Sequence, residues 1–270
     1  METGMRQEVL YSYRLDREVR VDLYDFCNDH GAGLLLINDG QMLEKMQFPE
    51  MLDCLSGDRG LRLPFICAMH AGPERRQEYG VAGIPDFAGR GARAGDYTDF
   101  VLEELMPWLR RSGAPVDHAP GAFAGFSLGA LSAMDIVWNY PDRFQKAGVF
   151  SGSLWWRTRD LGEGYLESRD RIIHQRIREG SYVAGLRFFL ECGTADETMD
   201  RNGNGTIDSV QDTMDLVREL EQKGYRQPEE LQFRVVEGGT HQESTWKEIL
   251  PEFFRWGWSF SPGLETSRAG

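Results

Sequence analysis

Ser127 is the residue of this chain whose surroundings best suit nucleophilic chemistry. It is the central residue of "GFSLG" (125–129), which fits the pattern Gly-x-Ser-x-Gly. An apolar run precedes the motif and a helical pattern follows it, as at a strand-to-helix turn that exposes a nucleophilic serine. Small neighbours permit such a strained turn, and the backbone N–H of Leu128 would face the oxyanion formed during ester cleavage. The motif alone leaves a second interpretation open, a glycine-flanked strand end without chemistry.

A serine hydroxyl is a poor nucleophile, so the chemistry also requires a histidine that accepts its proton and a carboxylate that orients the histidine. On an α/β sheet of this kind the order along the chain is serine, acid, histidine, each after a strand. His174 lies in a charged, helix-like stretch that we expect at the surface. His241 follows the strand-like "LQFRVV" and the flexible "EGGT", and is therefore the predicted base. The remaining histidines precede Ser127 and fail the order, namely His30, His70 and His118.

The orienting acid is expected after the strand between the serine and the histidine. "LRFFLECG" (186–193) predicts that strand, and Asp196 stands at the turn just beyond it. Glu197 and Asp200 are close rivals, because carboxylates are common in surface loops. Asp196 is the predicted acid of the three.

A second oxyanion donor is expected on the loop after the strand that precedes the first helix of the sheet. "LLLINDGQM" predicts this strand, with Gly40 and Gln41 on its loop. Glycine allows a bound ester to approach the backbone closely. An ordinary Asp-Gly turn without a catalytic role explains the same residues equally well.

Short apolar runs alternate with amphipathic helical segments along most of the chain, which predicts a doubly wound α/β domain with a mostly parallel sheet and helices on both faces. The stretch 17–26 alternates polar and apolar residues, as a half-buried strand does. We expect one domain over 1–260 and a disordered tail over 261–270. The continuous apolar runs are 33–39, 63–70, 121–126, 146–153, 185–193 and 231–239, and the helical segments are 97–111, 128–140, 209–224 and 243–258.

The composition excludes several classes of partner. The 270 residues carry a formal charge of −13 and a pI near 4.9, which argues against nucleic acid and anionic membranes as partners. No apolar run approaches the roughly 18 residues of a membrane span, and the N-terminus lacks the pattern of a secretory signal. The four scattered cysteines form no C-x-x-C pair and are expected as buried apolar residues. We therefore expect a cytoplasmic protein, and the sequence does not indicate its oligomeric state.

Six stretches together resemble the esterases related to enterochelin (enterobactin) esterase, a group that includes S-formylglutathione hydrolases, feruloyl esterases and mycolyltransferases. They are "LLLINDGQ", "MHAGPERRQEYG", "YTDFVLEELMPWL", "GFSLGA", "ECGTADE" and "GGTHQESTWKEILPEFFRW". The resemblance covers residues 10 to 258 and implies an α/β-hydrolase fold and carboxylic-ester cleavage without a cofactor. It implies Ser127 as nucleophile, Asp196 as acid and His241 as base. Acyl transfer to an alcohol, or a non-catalytic binding role on the same scaffold, are the alternative functions.

Four residues after strand ends are candidate contacts to a small-molecule ester substrate. Trp155 and Trp156 follow "VFSGSL" and are placed to line an acyl or aryl pocket, although paired tryptophans more often pack in the core. Arg75 and Arg76 follow another strand end and would suit an anionic substrate such as a catecholate siderophore. Solvated loop charges explain the arginines as well, so a siderophore lactone rests on the resemblance alone.

The segment "DRNGNGTID" (200–208) resembles the start of a calcium-binding loop. Oxygen ligands would come from Asp200, Asn202, Asn204 and Asp208, with Gly205 at the sharp turn. The twelfth position, where a bidentate acid is expected, is Gln211. The alternative is a turn rich in asparagine and glycine that binds no metal.

Overall fold

The computed structural model describes residues 4–26, 32–117, 119–162 and 164–260. They form one α/β domain around an eight-stranded sheet, whose strands lie in the order β1-β2-β4-β3-β5-β6-β7-β8. The strands are β1 (Gly4–Ser12), β2 (Arg17–Asp25), β3 (Leu34–Asn38), β4 (Phe65–Met69), β5 (Gly121–Phe126), β6 (Phe144–Phe150), β7 (Arg187–Ala195) and β8 (Leu231–Thr240). The tail 261–270, predicted to be disordered, lies outside the described residues.

Strands β3 to β8 pair in parallel, whereas β1 pairs antiparallel with β2 and β2 antiparallel with β4. The carboxyl ends of six neighbouring strands therefore meet at one edge of the sheet, where α/β proteins build their sites. The seven predicted strands are confirmed. Strand β1 was not predicted, because its sequence "GMRQEVLYS" is mostly exposed and buries only Leu10 and Ser12.

The four predicted helical segments are confirmed with small shifts at their ends. The first is divided into α3 (Ala94–Asp99), a π-helical turn (Phe100–Leu105) and α4 (Met106–Arg111), with Pro107 just after the turn. Pro251 lies inside α9 (Glu243–Trp258), and Gly224 ends α8 (Asp208–Lys223) with φ 114°. The helices are α1 (Phe48–Ser56), α2 (Arg75–Glu78), α3 (Ala94–Asp99), α4 (Met106–Arg111), α5 (Leu128–Asn139), α6 (Glu167–Asp170), α7 (Ile172–Glu179), α8 (Asp208–Lys223) and α9 (Glu243–Trp258).

Both faces of the sheet are covered. Leu36 and Phe123 belong to the larger apolar cluster, while their neighbours Ile37 and Ala124 belong to the other. Because side chains alternate across a strand, this division places a separate core on each face. No helix in the described ranges is both long and apolar enough to cross a lipid bilayer.

The cysteines only partly follow the expectation of burial. Cys67 and Cys192 are buried, whereas Cys54 is exposed on α1. Cys27 lies outside the described residues. Burial raises the pKa of Cys192 to about 12, so this thiol is not a nucleophile at neutral pH.

Candidate active site

Ser127 occupies a strained turn between β5 and α5, with φ 55° and ψ −121°. A side chain has no space at either flanking glycine. A Cβ at Gly125 would lie 2.5 Å from the carbonyl carbon of Gly129, and a Cβ at Gly129 would lie 2.5 Å from Oδ2 of Asp39. Since real Cβ atoms do not approach so closely, both glycines of the motif are required by packing. This is the geometry expected of a serine raised above the sheet edge.

The next strand ends in a similar way. Ser151 follows β6 with φ 45°. The amide of Ser127 donates to the carbonyl of Phe150 over 2.9 Å, and the amide of Ser151 donates to the carbonyl of Glu191 over 2.9 Å. These bonds continue the pairing of β5, β6 and β7 one residue past the strand ends, and so hold both strained serines in place.

His241 follows β8 and is brought to the serine turn by Trp246. The His241 ring meets the Trp246 ring edge-on at 5.4 Å between centroids. Trp246 stacks on Phe126, the residue before Ser127, at 5.0 Å. Its indole N–H also donates to Oγ of Ser151 over 2.9 Å. The sequence ending "GGTHQESTW" contained Trp246, but nothing in the sequence indicated this linking position.

Of the three candidate acids, Asp196 is the one whose charge acts on His241. Desolvation lowers the pKa of His241, the carboxylate of Asp196 raises it, and the cation of Arg75 lowers it. Burial raises the pKa of Asp196 in turn, and the His241 charge opposes that shift. Asp200 instead accepts bonds from its own loop, at the amides of Asn204 (3.2 Å) and Gly205 (2.8 Å).

Neither carboxylate oxygen of Asp196 accepts a hydrogen bond within the described part of the chain. Both oxygens can therefore accept a further hydrogen bond, such as one from an imidazole N–H. Gly193 makes room for it, since a Cβ there would come within 2.8 Å of Oδ1 of Asp196. Catalytic hydrogen bonds are often long or misaligned before substrate binds.

A buried ion pair lies directly below the serine turn. The guanidinium of Arg75 donates to both carboxylate oxygens of Asp39, each over 2.6 Å. Asp39 is completely buried, and Arg75 is about three-quarters buried. A third Arg75 bond reaches the carbonyl of Phe126 over 3.4 Å. The sequence offered Arg75 either as a contact to an anionic substrate or as a solvated loop charge, and did not indicate Asp39, whose charge neutralises it.

The predicted oxyanion donors lie beside this pair. Gly40 and Gln41 begin a 3-10 turn (Gly40–Met42) after β3. The amides of Met42 and Leu43 donate within the turn, over 2.9 and 3.1 Å. The amides of Gly40 and Gln41 have no partner within the turn, as at any helix start. Leu128 holds the corresponding first position of α5, so none of the three predicted N–H groups has a partner within its own helical turn.

Glu191 is a buried carboxyl that sequence reasoning missed. It is completely buried on β7, and neither of its oxygen atoms has a hydrogen-bond partner among the described residues. Burial, with the nearby Asp196 charge, raises the pKa of Glu191 to about 8. The protonated, uncharged form of Glu191 is therefore favoured at neutral pH.

The other predicted substrate contacts differ in exposure. Trp156 is completely buried in the core. Gly80 and Gly91 pack directly against its ring, so the structure does not place Trp156 in an open pocket. Trp155 is half-buried and lies beneath the Arg90 guanidinium, 4.9 Å from its ring centroid. Arg76 is exposed and remains a candidate substrate contact together with Trp155.

The segment predicted to bind calcium is held by hydrogen bonds within its own loop. The amide of Asn204 also donates to Oδ1 of Asn202 over 3.1 Å, and Oδ1 of Asn204 accepts from Thr206 over 2.8 Å. Asp208 accepts from the amide of Arg201 over 2.8 Å and pairs with its guanidinium over 3.3 Å. Within the described ranges, no group of three or more histidine, cysteine or acidic residues is arranged to hold a metal ion.

His174 is buried, contrary to the expectation of a surface position. Its Nε2 lies 2.8 Å from the carbonyl oxygen of Asp212. Burial lowers the pKa of His174 to about 3, and the neighbouring Arg171 adds to that effect. The charged residues around His174 suggested a surface helix, but they pair with residues of α8, as Arg171 does with Asp212 over 2.7 Å.

A family model described as "Putative esterase" matches residues 12–256. The chain belongs to this esterase family. Among curated protein sequences, none matches this chain significantly.

Several solved structures share the fold of this chain. One is the enterobactin esterase FES from Shigella flexneri, in the presence of 2,3-dihydroxy-N-benzoyl-serine, with TM-score 0.73 and 22% identity; the match covers 96% of this chain and 60% of that one. A ferulic acid esterase matches with TM-score 0.70 and 15% identity over 95% and 98% of the two chains. The BES protein from Bacillus cereus matches with TM-score 0.70 and 18% identity over 97% of each. This chain thus spans about 60% of the length of the enterobactin esterase.

Proposed function

We propose that the protein is a serine carboxylic-ester hydrolase in which Ser127, His241 and Asp196 act as nucleophile, base and orienting acid. The observation that carries the proposal is the connection through Trp246. This one side chain touches the His241 ring and the residue before Ser127. Acyl transfer through serine requires the base near the nucleophile, and this indole links the turn of His241 to the strand end that carries Ser127.

In the proposed reaction Ser127 Oγ attacks the ester carbonyl while His241 accepts the hydroxyl proton. His241 then returns that proton to the leaving alkoxide, which gives an acyl-enzyme and an alcohol. Water, deprotonated by the same imidazole, releases the acid and restores Ser127. Asp196 holds the imidazole in one orientation and stabilises its charged form.

The tetrahedral oxyanion would accept hydrogen bonds from the first amide of α5, at Leu128, and from the 3-10 turn at Gly40 or Gln41. Only glycine fits at position 40 for steric reasons. A Cβ at Gly40 would lie 2.9 Å from the carbonyl oxygen of Ala68. Donors fixed by backbone geometry need no rearrangement as charge develops, and losing one costs on the order of 100-fold in kcat.

The substrate class is proposed from the structural neighbours. Siderophore-type lactones, aryl esters and carbohydrate esters are the classes to compare, because the structural neighbours include an enterobactin esterase and a ferulic acid esterase. Acyl transfer to an alcohol uses the same residues and differs only in the acceptor. A non-catalytic binding protein is the remaining alternative, and the intact set of three side chains disfavours it.

A fluorophosphonate probe tests the proposal directly, because it labels only an activated serine. We expect labelling of the wild-type protein at Ser127 and none of Ser127→Ala. Ser151→Ala, which removes the other strained serine of this edge, is the control and should still be labelled. A wild type that does not react, or a Ser127→Ala variant that reacts equally, would refute the proposal. Added alcohols that divert the acyl group from water would favour acyl transfer.

A further inference from the structure

A cavity of about 350 Å³ adjoins the 3-10 turn that carries the proposed oxyanion donors. Gly40 and Gln41 form one wall, and side chains of β1 and β2 form another. None of the three proposed catalytic residues lines it. A group bound in this cavity would therefore lie next to the carbonyl oxygen of an ester without blocking the nucleophile.

An Asp–His pair stands in the wall of this cavity. His70 Nε2 lies 2.7 Å from Oδ2 of Asp22. Asp22 is only 4% exposed, and its other oxygen, Oδ1, accepts no hydrogen bond from any described residue. Asp22 Oδ1 is thus a buried acceptor in the wall of the cavity that no described residue supplies with a hydrogen bond.

The charges of the cavity point the same way. Three carboxylates line it, those of Asp22, Glu44 and Glu50, against one cation, Arg20. Arg20 Nε lies 3.7 Å from Asp22 Oδ1, beyond hydrogen-bond distance. Neither glutamate forms an ion pair within the part of the chain that the structure covers. The cavity therefore has an excess of negative charge and of acceptors.

Two amide side chains line the cavity, those of Gln7 and Gln41, and Gln7 is exposed on β1. The side chain of Gln41 is fixed, because its oxygen accepts from the amide of Ala71 over 3.0 Å. Its nitrogen donates to Oδ1 of Asp39 over 3.1 Å. A ligand group with positive charge and several N–H donors suits the excess of carboxylates, a description that fits a primary ammonium.

We propose that this cavity binds a primary ammonium group carried by the ester substrate, beside the oxyanion donors. The inference rests on the proposed ester hydrolysis and narrows its substrate class. It also follows that carboxylate-bearing esters are disfavoured, because their charge would meet three carboxylates.

The test compares isosteric esters that end in an ammonium, a methyl or a carboxylate group, in one series on the acyl side and in another on the alcohol side. We expect kcat/KM to fall in the order ammonium, methyl, carboxylate in one series, with about a tenfold difference between the first two, the scale of one charge-assisted bond. Equal kcat/KM for all three in both series would overturn the inference while leaving ester hydrolysis intact.

Glu44→Gln/Glu50→Gln assigns the preference to the cavity. Both glutamates are exposed, so the variant should fold, and the ratio of its kcat/KM values for the ammonium and methyl esters should fall to near one. Asp142→Asn/Glu248→Gln removes two exposed carboxylates elsewhere and should retain the preference. An equal loss in both variants would contradict the assignment.

A binding measurement separates the two proposals if no ester is hydrolysed. Calorimetry with butylammonium should show binding to the wild-type protein and several-fold weaker binding to Glu44→Gln/Glu50→Gln. Binding without hydrolysis would support the cavity and count against the esterase. No difference between the two proteins would refute the ammonium site.

Discussion

The two 2.6 Å bonds between Arg75 and Asp39 lie below the turn that carries Ser127. The pair fixes the loop after β3 to the start of α2, and its arginine also reaches the end of β5. It brings together the segment with the proposed oxyanion donors and the segment with the proposed nucleophile. An arginine that sequence reasoning assigned to substrate thus has a positioning role, together with an electrostatic effect on His241.

Arg75→Gln should move the acid limb of the kcat/KM profile to higher pH. The cation of Arg75 lowers the pKa of His241, so removing it makes the imidazole easier to protonate, and the active neutral form is lost at a higher pH. We expect this upward shift in the pH profile measured on a neutral ester. Arg76→Gln removes an exposed neighbouring charge and should leave the limb in place. A shift toward lower pH would contradict the assignment.

Gly129→Ala should destabilise the protein, because its Cβ would lie 2.5 Å from the Asp39 carboxylate. We expect the free energy of unfolding to fall by about 1–3 kcal/mol, the usual cost of overpacking. Gly95→Ala is the matched control, since Gly95 is also helical and a Cβ there has nothing within 4 Å. It should gain about 0.5–1 kcal/mol from the better helix former. Chemical denaturation of both variants distinguishes the two effects, and equal changes would refute the packing argument.

Trp246→Phe should lower kcat more than it lowers stability. The change removes the N–H bond to Ser151 but keeps a ring against Phe126, so the base loses part of its support. We expect about 1 kcal/mol of lost stability, typical of one hydrogen bond, and a several-fold lower kcat with KM little changed. Trp256→Phe on the same helix removes a bond of equal length, 2.9 Å to the carbonyl of Pro228, and should retain full kcat. Similar kcat values for the two variants would argue against a role for Trp246.

Glu191→Gln should remove a pH dependence from the stability of the protein. The folded-state pKa of Glu191, about 8, lies above the ordinary value of 4.5. The folded protein therefore holds more protons than the unfolded chain between these values, and its free energy of unfolding decreases as the pH rises through that window. The variant lacks this decrease, so it should gain relative to wild type from pH 5 to pH 8. Denaturation at several pH values measures this, with the exposed Glu248→Gln as the unchanged control.

Calcium should not alter the thermal stability. The guanidinium of Arg201 pairs with Asp208 and Asp212, and the oxygens of Asp200 and Asn204 accept amides of the loop. This arrangement favours the metal-free turn over the calcium loop. We expect the same Tm with calcium and with chelator, measured by calorimetry. A rise of several degrees with calcium would instead support the metal site.

The central strands and the long helices were predictable because their sequence patterns report local burial directly. A strand buried on both faces, such as β5, is continuously apolar, and an amphipathic helix such as α8 has its own period. The expected positions of the serine, acid and histidine after strand ends followed from the same pattern, since the carboxyl ends of parallel strands share one edge. Their order along the chain was an expectation for this type of sheet.

What the sequence did not indicate depends on pairing between distant segments. Asp39 and Arg75 are 36 residues apart, and either residue alone resembles a surface charge. The helix around His174 looks polar because its arginines pair with acids of α8. Glu191 gave no signal, as a single charged residue within an apolar strand pattern does not reveal that it is unpaired.

The antiparallel hairpin of β1 and β2 contributes Arg20 and Asp22 to the cavity and none of the residues proposed to break the ester bond. The rest of the lining, including Glu44, Glu50 and His70, comes from later segments. An exchange of residues 4–25 for the hairpin of a related protein would therefore change one wall of the cavity in a single recombination event, while the proposed nucleophile, base and acid are inherited unchanged.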